Sequence, residues 1–169
     1  MHPEFKTVTL IRHAKAEQAE KGMSDMDRPL KQKGEKQAAR LAKWLKANDF
    51  HPDLMWCSPA VRTHMSARII LDYINAPLSS LCVRKRLYQA DASDILSMIH
   101  KAAPEIKHLA IIGHNPAMAD LIDFLSSSKH AKIPPATICT IDFAVSTWAE
   151  VLPGSGITRH FITPSMLEK

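Results

Sequence analysis

Only 5 glycines occur in the 169 residues, and none belongs to a Gly-rich loop of the Walker type. That absence argues against an enzyme that cradles a nucleoside triphosphate in backbone amides. No apolar run approaches the roughly 20 residues that a membrane helix needs, so a membrane partner is not expected. The stretch Met1-His2-Pro3-Glu4-Phe5-Lys6 lacks the apolar region and small-residue cleavage site of a secretory leader, which points to a cytoplasmic protein. The 3 cysteines, Cys57, Cys82 and Cys139, are odd in number and far apart, as expected of reduced core thiols. There are 9 histidines, but no His-x-x-x-His with a glutamate and no clustered Cys/His set, so neither metal nor other cofactor is expected. No low-complexity segment or internal repeat is evident. A composition of 46% hydrophobic and 23% charged residues is that of an ordinary globular chain, read as one domain over 1–169.

Charge is present in excess. The formal net charge is +5 and the pI about 9.2, which favours anionic partners. Much of the excess lies in Lys31, Lys33, Lys36, Arg40, Lys43 and Lys46, read as the solvated face of one helix. No glycine-aromatic RNA-binding motif or zinc-finger spacing accompanies it, so nucleic acid is not the expected partner.

Periodicity gives an alternating chain. Thr7 to Ile11 reads as a buried strand and Gln18 to Leu30 as a loop over the strand ends. Ala38, Leu41, Ala42 and Leu45 recur at helical spacing and predict an amphipathic helix over 32–47. A second strand over 53–57 is followed by Ser58-Pro59, a cap and first-turn pair that predicts a helix starting there. In that helix Val61, Met65 and Ile69 are expected to point inward. Leu81-Cys82-Val83 reads as a short strand, 91–102 as a helix through Ile95, Met98 and Ile99, and 108–112 as a further strand. Asn115-Pro116 repeats the cap-plus-proline signal before Met118, Leu121, Ile122 and Leu125. Thr137 to Phe143 and Trp148 to Leu152, joined through Val145-Ser146-Thr147, are expected to pair as a β-hairpin. This order predicts an α/β fold: a mostly parallel sheet covered on both faces by helices, with an antiparallel edge.

Three of the strands end in the same way. Arg12-His13 closes the first, Ser58 to Arg62 follows the second, and Gly113-His114-Asn115-Pro116 ends the fourth. In an open parallel sheet such ends face one crevice, where ligands bind. Phosphoryl transfer needs cations around the equatorial oxygens and an in-line nucleophile. Arg12 and Arg62 offer bidentate forks that stay charged, the second in the first turn of a helix. A neutral His13, its pKa lowered by the two arginines, suits the nucleophile, and His114 a donor to the phosphoryl oxygens. His2, His51, His64, His100, His108 and His130 have no such placement and are assigned no role.

These residues resemble a known family. Leu10-Ile11-Arg12-His13-Ala14-Lys15-Ala16-Glu17 is similar to the signature of the histidine phosphatase superfamily, whose usual form is Arg-His-Gly. Ala14 in place of the glycine resembles the small SixA-type phosphohistidine phosphatases. Asp27-Arg28-Pro29-Leu30 with Gly34, Cys57 to Thr63, Leu87-Tyr88-Gln89-Ala90, Gly113 to Pro116 and Pro135-Ala136-Thr137 follow in matching order, over nearly the whole chain.

The resemblance implies the three-layer α/β/α, phosphoglycerate-mutase-like fold and a metal-independent phosphatase that uses a phosphorylated His13. Arg12, Arg62 and His114 would complete the phosphate pocket, and Arg28 would line it. Larger members carry an acid insertion between the second arginine and the second histidine, which is not evident here. The nearest carboxylates, Asp91 and Asp94, are better read as caps of the following helix. A missing acid suits a good leaving group, so phosphohistidine of a protein is the expected substrate. A small phosphate ester, a mutase-like transfer and a non-catalytic phosphoprotein-binding module are the alternatives.

Overall fold

A computed structural model describes residues 4–130 and 132–168, so His2 and the first three residues of the N-terminal stretch lie outside it. The elements are β1 (Lys6–Arg12), α1 (Gln32–Ala47), β2 (Leu54–Cys57), α2 (Val61–Tyr73), β3 (Leu81–Val83), α3 (Ala92–His100), β4 (His108–Gly113), α4 (Ala117–Leu125), β5 (Ile138–Phe143), β6 (Ile157–Ile162) and α5 (Pro164–Leu167). The six strands form one sheet in the order β3-β2-β4-β1-β5-β6. β2, β3, β4 and β1 run parallel, and β5 and β6 add the antiparallel edge. This is the expected α/β architecture.

The central strands read as unbroken apolar runs because both of their faces are covered. On one face Val8, Leu10, Leu109 and Ile111 pack with Ile95 and Ile99 of α3 and with Leu121, Ile122 and Leu125 of α4. On the other, Ile11, Ala110 and Ile112 pack with Leu41 and Leu45 of α1 and with Ile70 and Leu71 of α2. Three layers result. Lys33, Lys36, Arg40, Lys43 and Lys46 lie on the exposed face of α1, as read from the sequence. Cys57 and Cys139 are buried thiols and Cys82 is half-buried. No helix among the described residues is long and apolar enough to cross a membrane.

Two expectations need correction. Trp148–Glu150 is a 3-10 turn, not a strand, and β5 pairs with Ile157–Ile162 instead. The Trp148 segment is apolar because Trp148 packs into the α3/α4 core, with its indole N–H donating to the Ile106 carbonyl at 2.9 Å. The helix after β2 begins at Val61, not at Ser58, and its buried face is Arg62, Thr63, Ser66, Ala67, Ile70 and Leu71. Val61, Met65 and Ile69 are only half-buried. The inward face is partly polar because α2 leans over the strand ends and delivers Arg62 and Ser66 to them.

One polar chain crosses the sheet interior. His108 Nε2 lies 2.7 Å from the Thr9 hydroxyl, which lies 3.1 Å from that of Thr140. Burial pushes the His108 pKa down to about 4. Unfolded, this imidazole titrates near its ordinary value, so between about 6.5 and 4 the unfolded chain binds a proton that the folded chain refuses. Stability is therefore lost as the pH falls through that window. His108→Gln is expected to lower stability at pH 7 but to flatten its decline between pH 7 and 5, as read by urea unfolding at the two values.

Candidate active site

The parallel register brings the three strand ends together. Arg12 lies opposite Gly113 across the β1–β4 ladder, so His13 and His114 are the first residues beyond two adjacent strands. Their rings stand 5.3 Å apart. His13 is fixed from both sides: its N–H donates to the Gly113 carbonyl at 3.2 Å, and its carbonyl accepts from Ala136 N–H at 3.0 Å. The next residue is tied to α2, with Ala14 N–H donating to Ser66 Oγ at 3.0 Å and Ser66 to the Arg62 carbonyl at 2.8 Å. Beyond it, Gly34 of α1 lies so close to Lys15 that a Cβ there would run into the Lys15 carbonyl. That contact is what the glycine permits.

The His13 ring has one committed nitrogen. Nδ1 lies 2.7 Å from the Ala14 carbonyl, which can only accept, so Nδ1 carries the proton and Nε2 keeps its lone pair. Burial holds the His13 pKa down to about 3, with smaller contributions from the charges of His114, Arg62 and Arg12. Desolvation thus outweighs the arginine repulsion that the sequence suggested as the cause. Either way the ring is neutral near pH 7.

His114 is set in the opposite sense. Its Nε2 is 2.7 Å from Ser58 Oγ, and Ser58 Oγ is 2.8 Å from Thr63 Oγ1. The Thr63 hydroxyl donates to the backbone carbonyls of Ala60 and Ser58, at 2.7 and 2.9 Å. Its hydrogen being spent there, Thr63 accepts from Ser58, and Ser58 accepts from His114 Nε2–H. The free position of neutral His114 is therefore Nδ1, which is buried with no partner among the described residues. Burial, with Arg62 next, holds its pKa down to about 4.

Arg12 and Arg62 are anchored through their outer nitrogens. Arg12 Nη1 donates to the Ile133 carbonyl at 2.9 Å, which also takes Asn115 Nδ2 at 3.0 Å. Arg62 donates through Nη1 to the Asp25 carbonyl at 2.7 Å and through Nη2 to Asp25 Oδ2 at 2.9 Å. Arg28 donates to the Glu17 carbonyl and to Asp25 Oδ1. Arg12 Nε and Arg62 Nε, like His114 Nδ1, are buried without a partner among the described residues. Buried donors are rarely left unsatisfied, so the two Nε–H groups suit an anion, whereas His114 Nδ1, with the ring proton on Nε2, is a free acceptor and not the donor expected of His114 from the sequence.

All five residues singled out from the sequence, Arg12, His13, Arg28, Arg62 and His114, thus meet at one place. Asp25 and Tyr88, whose hydroxyl donates to Asp25 at 2.6 Å, belong to the same cluster but were assigned nothing. Asp25 sits in a polar stretch without periodicity; its only signal is its place three residues before Arg28. Asp91 and Asp94 form a reciprocal capping box at the start of α3. The N–H of Asp94 holds the Asp91 carboxyl below its ordinary pKa, which does not suit a proton donor. Among the described residues no group of three or more His, Cys, Asp or Glu side chains is placed to hold a metal ion.

Comparison with known proteins defines the class. Residues 8–108 match the model of the histidine phosphatase superfamily, branch 1. The chain belongs to the histidine phosphatase superfamily. It is 29% identical over 164 residues to an uncharacterized protein of Mycobacterium tuberculosis, spanning 91% of this chain and 99% of that one. The structure of the protein histidine phosphatase SixA complexed with tungstate superposes with a TM-score of 0.80 at 22% identity, covering 96% of this chain and 99% of that one. A protein of Agrobacterium tumefaciens that bears the same SixA name superposes with a TM-score of 0.79 at 24% identity, over 94% and 98% of the two chains.

The hydroxyl chain makes a prediction. Ser58→Ala removes the acceptor of His114 Nε2–H, a hydrogen bond of about 1 kcal/mol, and frees the ring to change tautomer. Turnover of an aryl phosphate is expected to fall roughly five- to tenfold with the fold intact, as checked by steady-state kinetics beside thermal melting.

Proposed function

We propose that the protein is a metal-independent phosphatase that hydrolyses phosphohistidine through a covalent phosphohistidine at His13. The observation that carries this reading is the free Nε2 of a neutral, buried His13 beside two unpartnered buried donors, Arg12 Nε and Arg62 Nε, and one unpartnered acceptor, His114 Nδ1. A lone pair to attack phosphorus, two cationic donors for its oxygens and an acceptor for a proton support that reading. The SixA protein of similar fold is complexed with tungstate, a tetrahedral oxyanion, which is in keeping with an anion site in this chain.

In the first step His13 Nε2 attacks phosphorus, a bond forms to it, and the bond from phosphorus to the leaving nitrogen breaks. Arg12 and Arg62 bear the charge on the equatorial oxygens. Arg28 lines the rim. A phosphohistidine protonated at its far ring nitrogen leaves as neutral imidazole and needs no proton from the enzyme. An alkyl ester leaves as an alkoxide and does need one, and neither Asp91 nor Asp94 is suited to supply it. That contrast favours a phosphoramidate as substrate.

The second step reverses the geometry. Water attacks phosphorus, the P–Nε2 bond breaks, and the His13 ring departs as a neutral imidazole because Nδ1 still holds its proton against the Ala14 carbonyl. The proton lost by the water passes to Nδ1 of His114, whose other nitrogen is engaged by Ser58. Inorganic phosphate is released. A phosphorylated protein is the expected partner, with a small phosphorylated molecule as the alternative.

His13→Ala is expected to abolish release of phosphate from both a chemically phosphorylated histidine protein and an aryl phosphate, with chelator present. Arg62→Ala should retain the nucleophile but slow turnover by roughly 10²- to 10³-fold, the scale of one lost oxyanion contact. Colorimetric phosphate release reads all of these. Full activity in His13→Ala would sink the proposal, and hydrolysis of the aryl ester alone would remove phosphohistidine as the substrate.

A further inference from the structure

Asp25 brings a carboxylate into the ring of cations that the reaction reserves for phosphate. Oδ2 accepts from Arg62 Nη2 at 2.9 Å and from the Tyr88 hydroxyl at 2.6 Å, and Oδ1 accepts from Arg28 Nη1 at 2.8 Å. The Asp25 backbone carbonyl takes Arg62 Nη1 at 2.7 Å. One residue therefore grips both terminal nitrogens of Arg62, leaving Nε as the edge turned elsewhere. Arg62 is buried and Asp25 is half-exposed, so the grip closes the pocket from its rim.

We propose that Asp25 is a positioning residue of the phosphate site, which aims Arg62 through Nε and trims the net charge of the pocket to that of a phosphoryl dianion. Arg12, Arg28 and Arg62 bring three guanidiniums to the cluster, and His13 and His114 are neutral near pH 7. One carboxylate leaves two positive charges against the roughly two negative charges of a phosphoryl group. Without it the cluster would hold an excess of one, and product phosphate would bind too well. A role as proton donor fits poorly: hydrogen bonds from Tyr88 and Arg28 hold the Asp25 carboxyl well below the usual carboxylate range, so it stays ionised. Tyr88 and the Asp25–Asp27 turn come from two different loops, β3–α3 and the one before α1, and the same carboxylate joins them.

The inference rests on the phosphate-site reading and not on phosphohistidine being the substrate, so its test uses inorganic phosphate as the probe. Asp25→Asn keeps an oxygen acceptor and removes the charge. The full-length variant is expected to bind phosphate about three- to tenfold tighter by calorimetry at low salt. Its KM and kcat on an aryl phosphate should fall together. Asp25→Glu keeps the charge but displaces the carboxylate, so phosphate affinity should stay within about twofold while kcat falls. Thermal melting of both variants establishes that they fold. A role confined to folding would loosen phosphate in Asp25→Asn or leave it unchanged, and either result overturns the proposal. So does an undiminished kcat in Asp25→Glu. Failure on phosphohistidine protein alone, with phosphate binding shifted as stated, would count against the substrate reading only.

Discussion

The chemistry proposed for this protein depends on a single hydrogen bond, from His13 Nδ1 to the carbonyl of the next residue. An imidazole free to choose its tautomer would present a lone pair at Nε2 only part of the time, and an imidazolium never would. The Ala14 carbonyl settles the choice, because it can accept and cannot donate. What holds that carbonyl is the rest of the fold. The β1–β4 ladder ends at the Arg12–Gly113 pair, the Ala136 N–H takes the His13 carbonyl, and Ser66 of α2 takes the Ala14 N–H. A strand end buried between β4 and β5 is rigid, and rigidity is what a committed tautomer needs.

Burial and charge act together on the same ring. Taking His13 out of water disfavours its cation, and the nearby arginines add to the effect, so in the proposed role of nucleophile it needs no base to deprotonate it. The desolvation that keeps His13 and His114 neutral is equally a cost, since the arginines beside them must be buried too. Backbone carbonyls meet that cost: Ile133 takes Arg12 and Asp25 takes Arg62, each through outer guanidinium nitrogens. The inner Nε atoms remain for an anion. His114, pinned by the Ser58–Thr63 hydroxyl relay, completes the set with a nitrogen that accepts a proton.

Much of this was legible in the amino-acid order, and the reasons are physical. Parallel strands covered on both faces read as apolar runs, so β1, β2 and β4 and the residues at their ends stood out. Helix α1 showed its period because one of its faces is solvated. The edge was harder. β6 carries Thr158, Arg159 and His160 and is only partly covered, so it shows no strand pattern, while the buried Trp148 segment mimics one. The face of α2 was misread because its inward side carries Arg62, Thr63 and Ser66, which serve the site. Asp25 was silent for a related reason. Its position is set by hydrogen bonds to Arg62 and Tyr88, which are distant in sequence, as well as to nearby Arg28, and local pattern holds no record of the distant contacts.

Turnover by the proposed route requires that Nε2 of His13 become covalently phosphorylated. The most direct measurement is to mix the protein with a chemically phosphorylated histidine protein, quench in alkali during turnover, and locate the phosphoryl group by peptide mass spectrometry and phosphorus NMR. The expected result is a single N-linked phosphoryl group on His13, at Nε2, that forms and decays at the rate of turnover. Turnover with no such adduct, or with the phosphoryl group on another residue, would contradict it.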